Sequence, residues 1–232
     1  MAGDLGLSSF EDELSQQWSR GLDGKKRAFH VMGAFHELIS RAAKSRAADL
    51  VLIDVGPNLG AINRSALIAA DHVVIPLAPD LFSLKGLQNL GPRLRQWNEG
   101  WRERIAKRPQ GMDLPKGDMN PLGYIVMQHA VRLDRPVKAY QKWMQRMPST
   151  YREAVLDVPQ ASLTLETDPH CLASLKHYRS LMPLAQEARK PMFDLKSADG
   201  AIGGHAEAVQ SCYRDFRTLA QEIARRAGVP FK

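Results

Sequence analysis

Asp54 is the residue whose surroundings carry chemistry. The aliphatic run 50–53, L-V-L-I, leads straight into this carboxylate, and Gly56 and Pro57 then turn the chain. The pattern predicts a buried parallel strand that delivers an acid to its carboxyl end, where open α/β sheets place their ligands. Taken as a lone strand end, the same acid would only cap the helix that follows. Other candidate chemistry is sparse. His170, Cys171 and His177 lie close in sequence, but a zinc site wants further ligands at helical spacing and none follows. Ser83 and Lys85 lack the spacing of an acylating serine enzyme, and no G-x-S-x-G elbow occurs. Trp97, Trp101 and Trp143, set among basic residues, could stack on bases, yet their helical surroundings favour core or interface anchors.

The elements that must position Asp54 follow from periodicity. Residues 61–70 have helical composition, and 72–77 form a second apolar run closed by Pro76 and Pro79, so the segment reads as one βαβ unit. Upstream, Ser8 and Ser9 with Glu11 and Asp12 predict a capped helix through Trp18. Residues 28–43 place Phe29, Met32, Phe35, Leu38 and Ile39 on one helical face. The stretch 21–26, G-L-D-G-K-K, reads as a solvated loop. Downstream, helices are expected over 84–97 and 101–108, a loop over 109–121, and a strand over 122–127 ending at Gln128 and His129. A helix from Asp134 is stopped by Pro148, with a second short helix from Ser149. Residues 158–167 form a weak strand candidate, Asp168 and Pro169 open a helix through Tyr178, and 205–226 form a terminal helix stopped by Gly228.

The order Asp54-Val55-Gly56-Pro57, a second strand, then Ser83-Leu84-Lys85-Gly86-Leu87 resembles the second nucleotide-site motif of the ParA/MinD-type P-loop partition ATPases. Two positions depart from that pattern: Gly56 stands where Pro is usual, and Lys85 where an acid is usual. The resemblance implies a doubly wound, mostly parallel α/β sheet of P-loop NTPase type spanning residues 1–232 as a single domain. It also implies that Asp54, as the Walker B acid, holds Mg2+ beside ATP. Gln128, at a position often occupied by Asn, and Pro183, in the segment 182–191, would line the base pocket. The family's phosphate loop needs G-x-x-x-x-G-K-[ST], because backbone N–H groups and the Lys must hold the phosphates. No such string occurs in these residues. On the resemblance, the chain is the carboxyl-terminal portion of such an ATPase, incomplete at the N-terminus, with tight ATP binding and hydrolysis not expected of it alone. No catalytic residue is assigned.

Length and composition fit a soluble α/β domain: 232 residues at 44% hydrophobic can bury a full core. No apolar run reaches a membrane span and no secretory leader pattern is present, which makes the cytoplasm the expected compartment. Cys171 and Cys212 follow no metal or redox spacing and are expected as reduced thiols. The net charge of +7 favours polyanionic partners. Basic residues gather at Arg93, Arg95, Arg102, Arg104, Lys107 and Arg108, and again at Arg189, Lys190, Arg214, Arg217, Arg225 and Arg226. Solvated helix faces would account for either group. The resemblance singles out Arg189, Arg214, Arg217, Arg225 and Arg226 for non-specific DNA contact, with a ParB-like partner protein and a homodimer in plasmid partition or chromosome segregation. The alternative expectation is a non-catalytic pseudo-ATPase that keeps a DNA- or protein-binding surface.

Overall fold

The computed structural model describes residues 5–129, 131–132, 135–136 and 138–231, and the side chains of 6–127 and 140–231. In chain order the elements are α1 (Glu11–Arg20), α2 (Lys26–Met32), α3 (Ala34–Arg46), α4 (Ala61–Ile68), β1 (His72–Leu77), α5 (Leu81–Ile105) and β2 (Asn120–His129). There follow β3 (Val131–Arg132), β4 (Arg135–Pro136), α6 (Lys138–Met144), α7 (Met147–Ala154), β5 (Cys171–Lys176), α8 (Leu181–Ala188) and α9 (Gly204–Ala227). The chain divides into two compact units. The first comprises Met1–Val73, Leu87–Pro121 and Ala154–Asp157, and the second the remainder. Among the described residues no helix is long and apolar enough to cross a membrane.

The first unit is helical. Leu14 of α1 and Phe29 and Met32 of α2 are buried, and α1 packs on α2 and α4. Trp101 is completely buried: its ring stacks on Trp18 at 6.3 Å, and its indole N–H donates to the Pro115 carbonyl at 2.9 Å. That bond meets the one polar demand a buried indole makes. The guanidiniums of Arg104 and Arg64 lie over the Trp18 ring at 3.9 and 4.1 Å. Burial first, then the Arg104 charge, pulls the Arg64 guanidinium down to about 10.

The expected helix over 28–43 is broken at Gly33 into α2 and α3. A side chain at 33 would meet Leu114 at 2.8 Å, so the glycine admits the loop there. The two helices expected over 84–97 and 101–108 are instead continuous as α5. Pro92 sits inside it, and Gly100 lets Arg104 bond back to its carbonyl at 2.6 Å. The loop 21–26 is partly a 3-10 turn with Gly21 buried. The α1 N-terminus lies one residue beyond the expected Ser8–Ser9 cap. Phe10 is the N-cap of α1 without a side-chain bond, and the Ser9 hydroxyl donates to the Gly6 carbonyl at 2.7 Å.

The second unit carries a parallel three-stranded sheet of order β1-β2-β5, flanked by helices. Tyr124 opposes Cys171 and Ile125 opposes Ala173. Gly123 has φ 151°, and a side chain there would lie 2.4 Å from the His170 carbonyl, so the close approach of the two strands requires glycine. β1 is an edge of this sheet, which is where a sheet tolerates a proline; Pro76 is exposed while Val73, Ile75 and Leu77 are buried. Leu219, Phe216 and Ile223 of α9 cover Ile125, Leu172 and Leu175. A second cluster joins Tyr178, Leu181, Leu195, Ala201, Val209 and Cys212.

Here two expectations are corrected. The helix foreseen from Asp168 is the strand β5: burial of Leu172 and Leu175 against α9 and pairing with β2 override its mixed composition. The strand candidate over 158–167 is loop and turn, as its scattered polar residues offer no face to bury. The helix expected from Ser149 begins at Met147, with Pro148 buried in its first turn. Asp134, foreseen as a helix N-cap, lies outside the described residues.

Candidate functional site

Residues 50–55 form no regular secondary structure and pair with no strand, and Leu52 is 79% exposed. The buried strand expected to end at Asp54 is therefore absent from the described sheet. An aliphatic run becomes a buried strand only when backbone groups on a neighbour complete its ladder. Here none does, and Leu50 and Val51 are exposed beside Leu52.

The turn that follows is nevertheless held tightly. Asn63, nearly buried, donates its amide to the carbonyls of Gly56 at 2.6 Å and Asn58 at 2.7 Å, and the Asn58 side chain accepts from the Gly60 N–H at 3.1 Å. The Glu11 carboxylate accepts from the N–H groups of Ala61 and, at 2.9 Å, Ile62. It thus satisfies the open donors at the start of α4, where a negative charge is favoured. A side chain at Gly60 would lie 2.6 Å from that carboxylate. Asn63 has a local signal, an amide one turn into a helix that follows a Gly-Pro-Asn turn. Glu11 has none, because its partners are fifty residues away.

Asp54 itself is exposed and makes no hydrogen bond or ion pair among the described residues. Mg2+ keeps several waters and takes one or two carboxylates together with phosphate oxygens. A single exposed carboxylate suits that role only where a phosphate chain supplies the other ligands. Among the described residues no group of three His, Cys, Asp or Glu gathers to hold an ion by itself. Gln128 lies in β2, with its side chain outside the described part, and Pro183 is exposed in the first turn of α8. Both belong to the second unit, Asp54 to the first.

The Ser83 motif forms a helix start. The Asp80 carboxylate accepts from the Ser83 N–H at 2.7 Å, and the Ser83 hydroxyl accepts from the Ala78 N–H at 3.0 Å. This reciprocal cap sets α5 directly after β1 and presents Phe82 to solvent, 87% exposed.

The basic groups resolve into different roles. Arg95 donates to the carbonyls of Ala154 and Val155, Arg104 to those of Trp18 and Gly100, and Lys107 to that of Leu22. These side chains fasten the first unit together. In the second, Arg226 pairs with Glu222 at 2.6 Å and donates to the carbonyls of Leu122 and Pro169, while Arg225 pairs with Glu222 at 2.7 Å. Those two arginines hold the Glu222 carboxyl down to about 2, Arg225 foremost. Arg189, Arg214 and Arg217 are exposed with no acid in ion-pair range among the described residues.

A buried polar cluster escaped the sequence reading. The Tyr124 hydroxyl donates to Asp168 at 2.8 Å, and the His170 backbone N–H donates to the same carboxylate at 3.0 Å. The Tyr151 ring lies tilted against those of Tyr124 and His170, with centroids 5.0 and 5.5 Å away. Burial, then the Asp168 bond, pushes the Tyr124 hydroxyl far up, and burial holds the His170 imidazole below its usual value. The cluster ties β2 to the start of β5 and contains no nucleophile paired with a base.

The sheet and its flanking helices make an α/β protein of P-loop NTPase-like fold. Residues 3–107 match the AAA domain family. Among solved structures, the chain is similar to protein DIP2308 from Corynebacterium diphtheriae, with TM-score 0.62 and 19% identity over 97% of this chain. It spans 64% of that protein's length. A search of curated proteins returned no significant match. The match over residues 3–107 covers less than half of the chain, and the solved structure shows likeness of fold.

Proposed function

We propose that these residues form the DNA-facing and magnesium-carboxylate part of an ATP-dependent, dimerising switch for DNA partitioning or cargo positioning, acting in the cytoplasm with a ParB-like partner. The observation that carries this reading is the family match over residues 3–107, which contains both Asp54 and the Ser83–Leu87 motif. In this reading Asp54 supplies the oxygen for Mg2+, Gln128 and Pro183 face the base, and Arg189, Arg214 and Arg217 meet DNA phosphates. Arg225 and Arg226 act mainly through Glu222, shaping the end of α9. Turnover is not assigned to these residues, since they contain no phosphate-loop string.

A second reading, a pseudo-ATPase that binds DNA or protein without turnover, is favoured by one observation: the Asp54 segment lies outside the sheet. Two titrations separate the readings. Duplex DNA of arbitrary sequence should bind with an affinity that falls steeply with salt, and R214E/R217E should weaken it. Salt-insensitive binding, or none, would remove the DNA role from both readings. Tight Mg-ATP binding by this chain, lost in Asp54→Ala, would favour the switch and show that these residues hold a triphosphate unaided.

A further inference from the structure

One histidine of the second unit is held where a positive charge is unwelcome. His170 stands at the amino end of β5, and its carbonyl accepts from the Tyr124 N–H at 2.9 Å, which ties it to β2. Its imidazole is half-buried beside the Tyr151 ring, and Tyr151 is completely buried. The ring Nδ1 is shut off from solvent and has no hydrogen-bond partner among the described residues. The Tyr151 hydroxyl is likewise buried and without a partner, so it does not serve the ring.

The charges around the imidazole are unevenly set. Asp168, in the turn before β5, favours a proton on the ring, but its oxygens already accept from the Tyr124 hydroxyl at 2.8 Å and the His170 backbone N–H at 3.0 Å. Burial foremost, then Arg226 of α9 and Arg152 of α7, acts against that proton. Arg226 is fixed close by, donating to the carbonyls of Pro169 at 2.5 Å and Leu122 at 2.9 Å, and its acid Glu222 is shared with Arg225. Burial pushes the Tyr124 and Tyr151 hydroxyls and the Cys171 thiol upward, away from neutral pH. The imidazole is the group here whose ordinary range lies between pH 5 and 8.

We propose that His170 is an acid-sensitive latch: its neutral imidazole keeps the start of β5 seated on α7 and on the last turn of α9, and a proton on the ring releases that junction. In the imidazolium both ring nitrogens carry hydrogen, so Nδ1 becomes a buried charged donor without an acceptor, which costs more than an unmatched lone pair. Movement of residues 168–171 away from Arg226 relieves both the unmet donor and the like charge, at the expense of the Arg226 bond to Pro169. The folded form thus binds the proton less well than the opened form. The junction is therefore secure above the ordinary imidazole value of 6.5 and loosens as pH falls below it. The latch lies at the amino end of β5, whereas such sheets bind ligands at the carboxyl ends, and it involves neither Asp54 nor Arg189, Arg214 or Arg217.

The test is hydrogen–deuterium exchange of the whole chain between about pH 7.5 and about pH 5, read by mass spectrometry in peptides covering 168–176 and 220–227 and corrected for the intrinsic pH dependence of exchange. In the parent, opening of both segments should rise as pH falls below 6.5, by up to about tenfold per pH unit until the folded imidazole itself takes a proton. H170Q has no titrating ring at this position and should hold the opening level, while H177Q, altered just beyond the other end of β5, should follow the parent. NMR of the His170 ring in the parent reads its titration midpoint directly, and decides the matter if circular dichroism shows H170Q unfolded. Parent opening indifferent to pH, a rise that persists in H170Q, or a His170 ring titrating at or above 6.5 would each overturn the latch.

Discussion

Alanine at Gly91 and alanine at Gly86, two positions on one helix, should move stability in opposite directions. Both glycines lie inside α5, where alanine is favoured over glycine by about 1 kcal/mol. At Gly86 nothing lies within 4 Å of an added methyl, so G86A should collect that gain. At Gly91 the methyl would sit 1.9 Å from the Ala154 carbonyl oxygen, 2.5 Å from its carbon and 2.9 Å from the Val155 nitrogen. Carbon and carbonyl oxygen normally meet no closer than about 3.3 Å. The obstacle is backbone, so the helix or the end of α7 must withdraw. Overpacking of this kind costs about 3 kcal/mol, at the upper end of the usual range. Withdrawal also loosens the Arg95 bonds to Ala154 and Val155, at 2.7 and 3.2 Å, adding about 1 kcal/mol. Against the helical gain, the net loss is about 3 kcal/mol, which lowers the melting temperature by roughly 6–12 °C for a chain of this size. G86A should raise it by roughly 2–4 °C. Thermal melts followed by far-UV circular dichroism read both. A G91A protein melting at or above the parent would refute the close packing of α5 on residues 154–155.

Tyr124→Phe removes a donor from Asp168, which is 4% exposed, and should cost about 1–3 kcal/mol in urea unfolding; an unchanged midpoint would show the carboxylate finding another donor. Burial pushes the Cys171 and Cys212 thiols each up to about 11 from 9.0. Because the folded values are raised, this stabilising contribution is complete below pH 9 and is lost as pH climbs from 9 toward 11. Both thiols should react slowly with an aromatic disulfide reagent at neutral pH and rapidly once the chain is denatured; equal rates would mean that they are open to solvent. The unpaired run Leu50, Val51 and Leu52 should bind an apolar dye and promote self-association, and Leu52→Lys should reduce both effects. A dye-silent monomer at high concentration would contradict that expectation.

Much of the architecture was legible in residue order. β1 occupies the 72–77 run, α4 begins where the Gly-rich turn ends, and α9 stops at Gly228, which is left-handed at φ 70°. These are local properties: apolar periodicity, turn residues and a glycine stop act within a few residues. The Asp54 turn and the Ser83 cap were legible for the same reason, since their hydrogen bonds close over short spans, and the family they resemble agrees with the match over residues 3–107. What only the tertiary structure decided are the contacts between distant segments. Whether 50–53 becomes a strand depends on a partner for its backbone, which no feature of the run itself supplies. Residues 171–176 become a strand because β2 and α9 claim both their edge and their face. The Glu11 side chain reaches from the first turn of α1 to cap α4, and Arg95 and Arg104 fasten backbone carbonyls instead of facing solvent, because burial leaves those donors and acceptors no other partner.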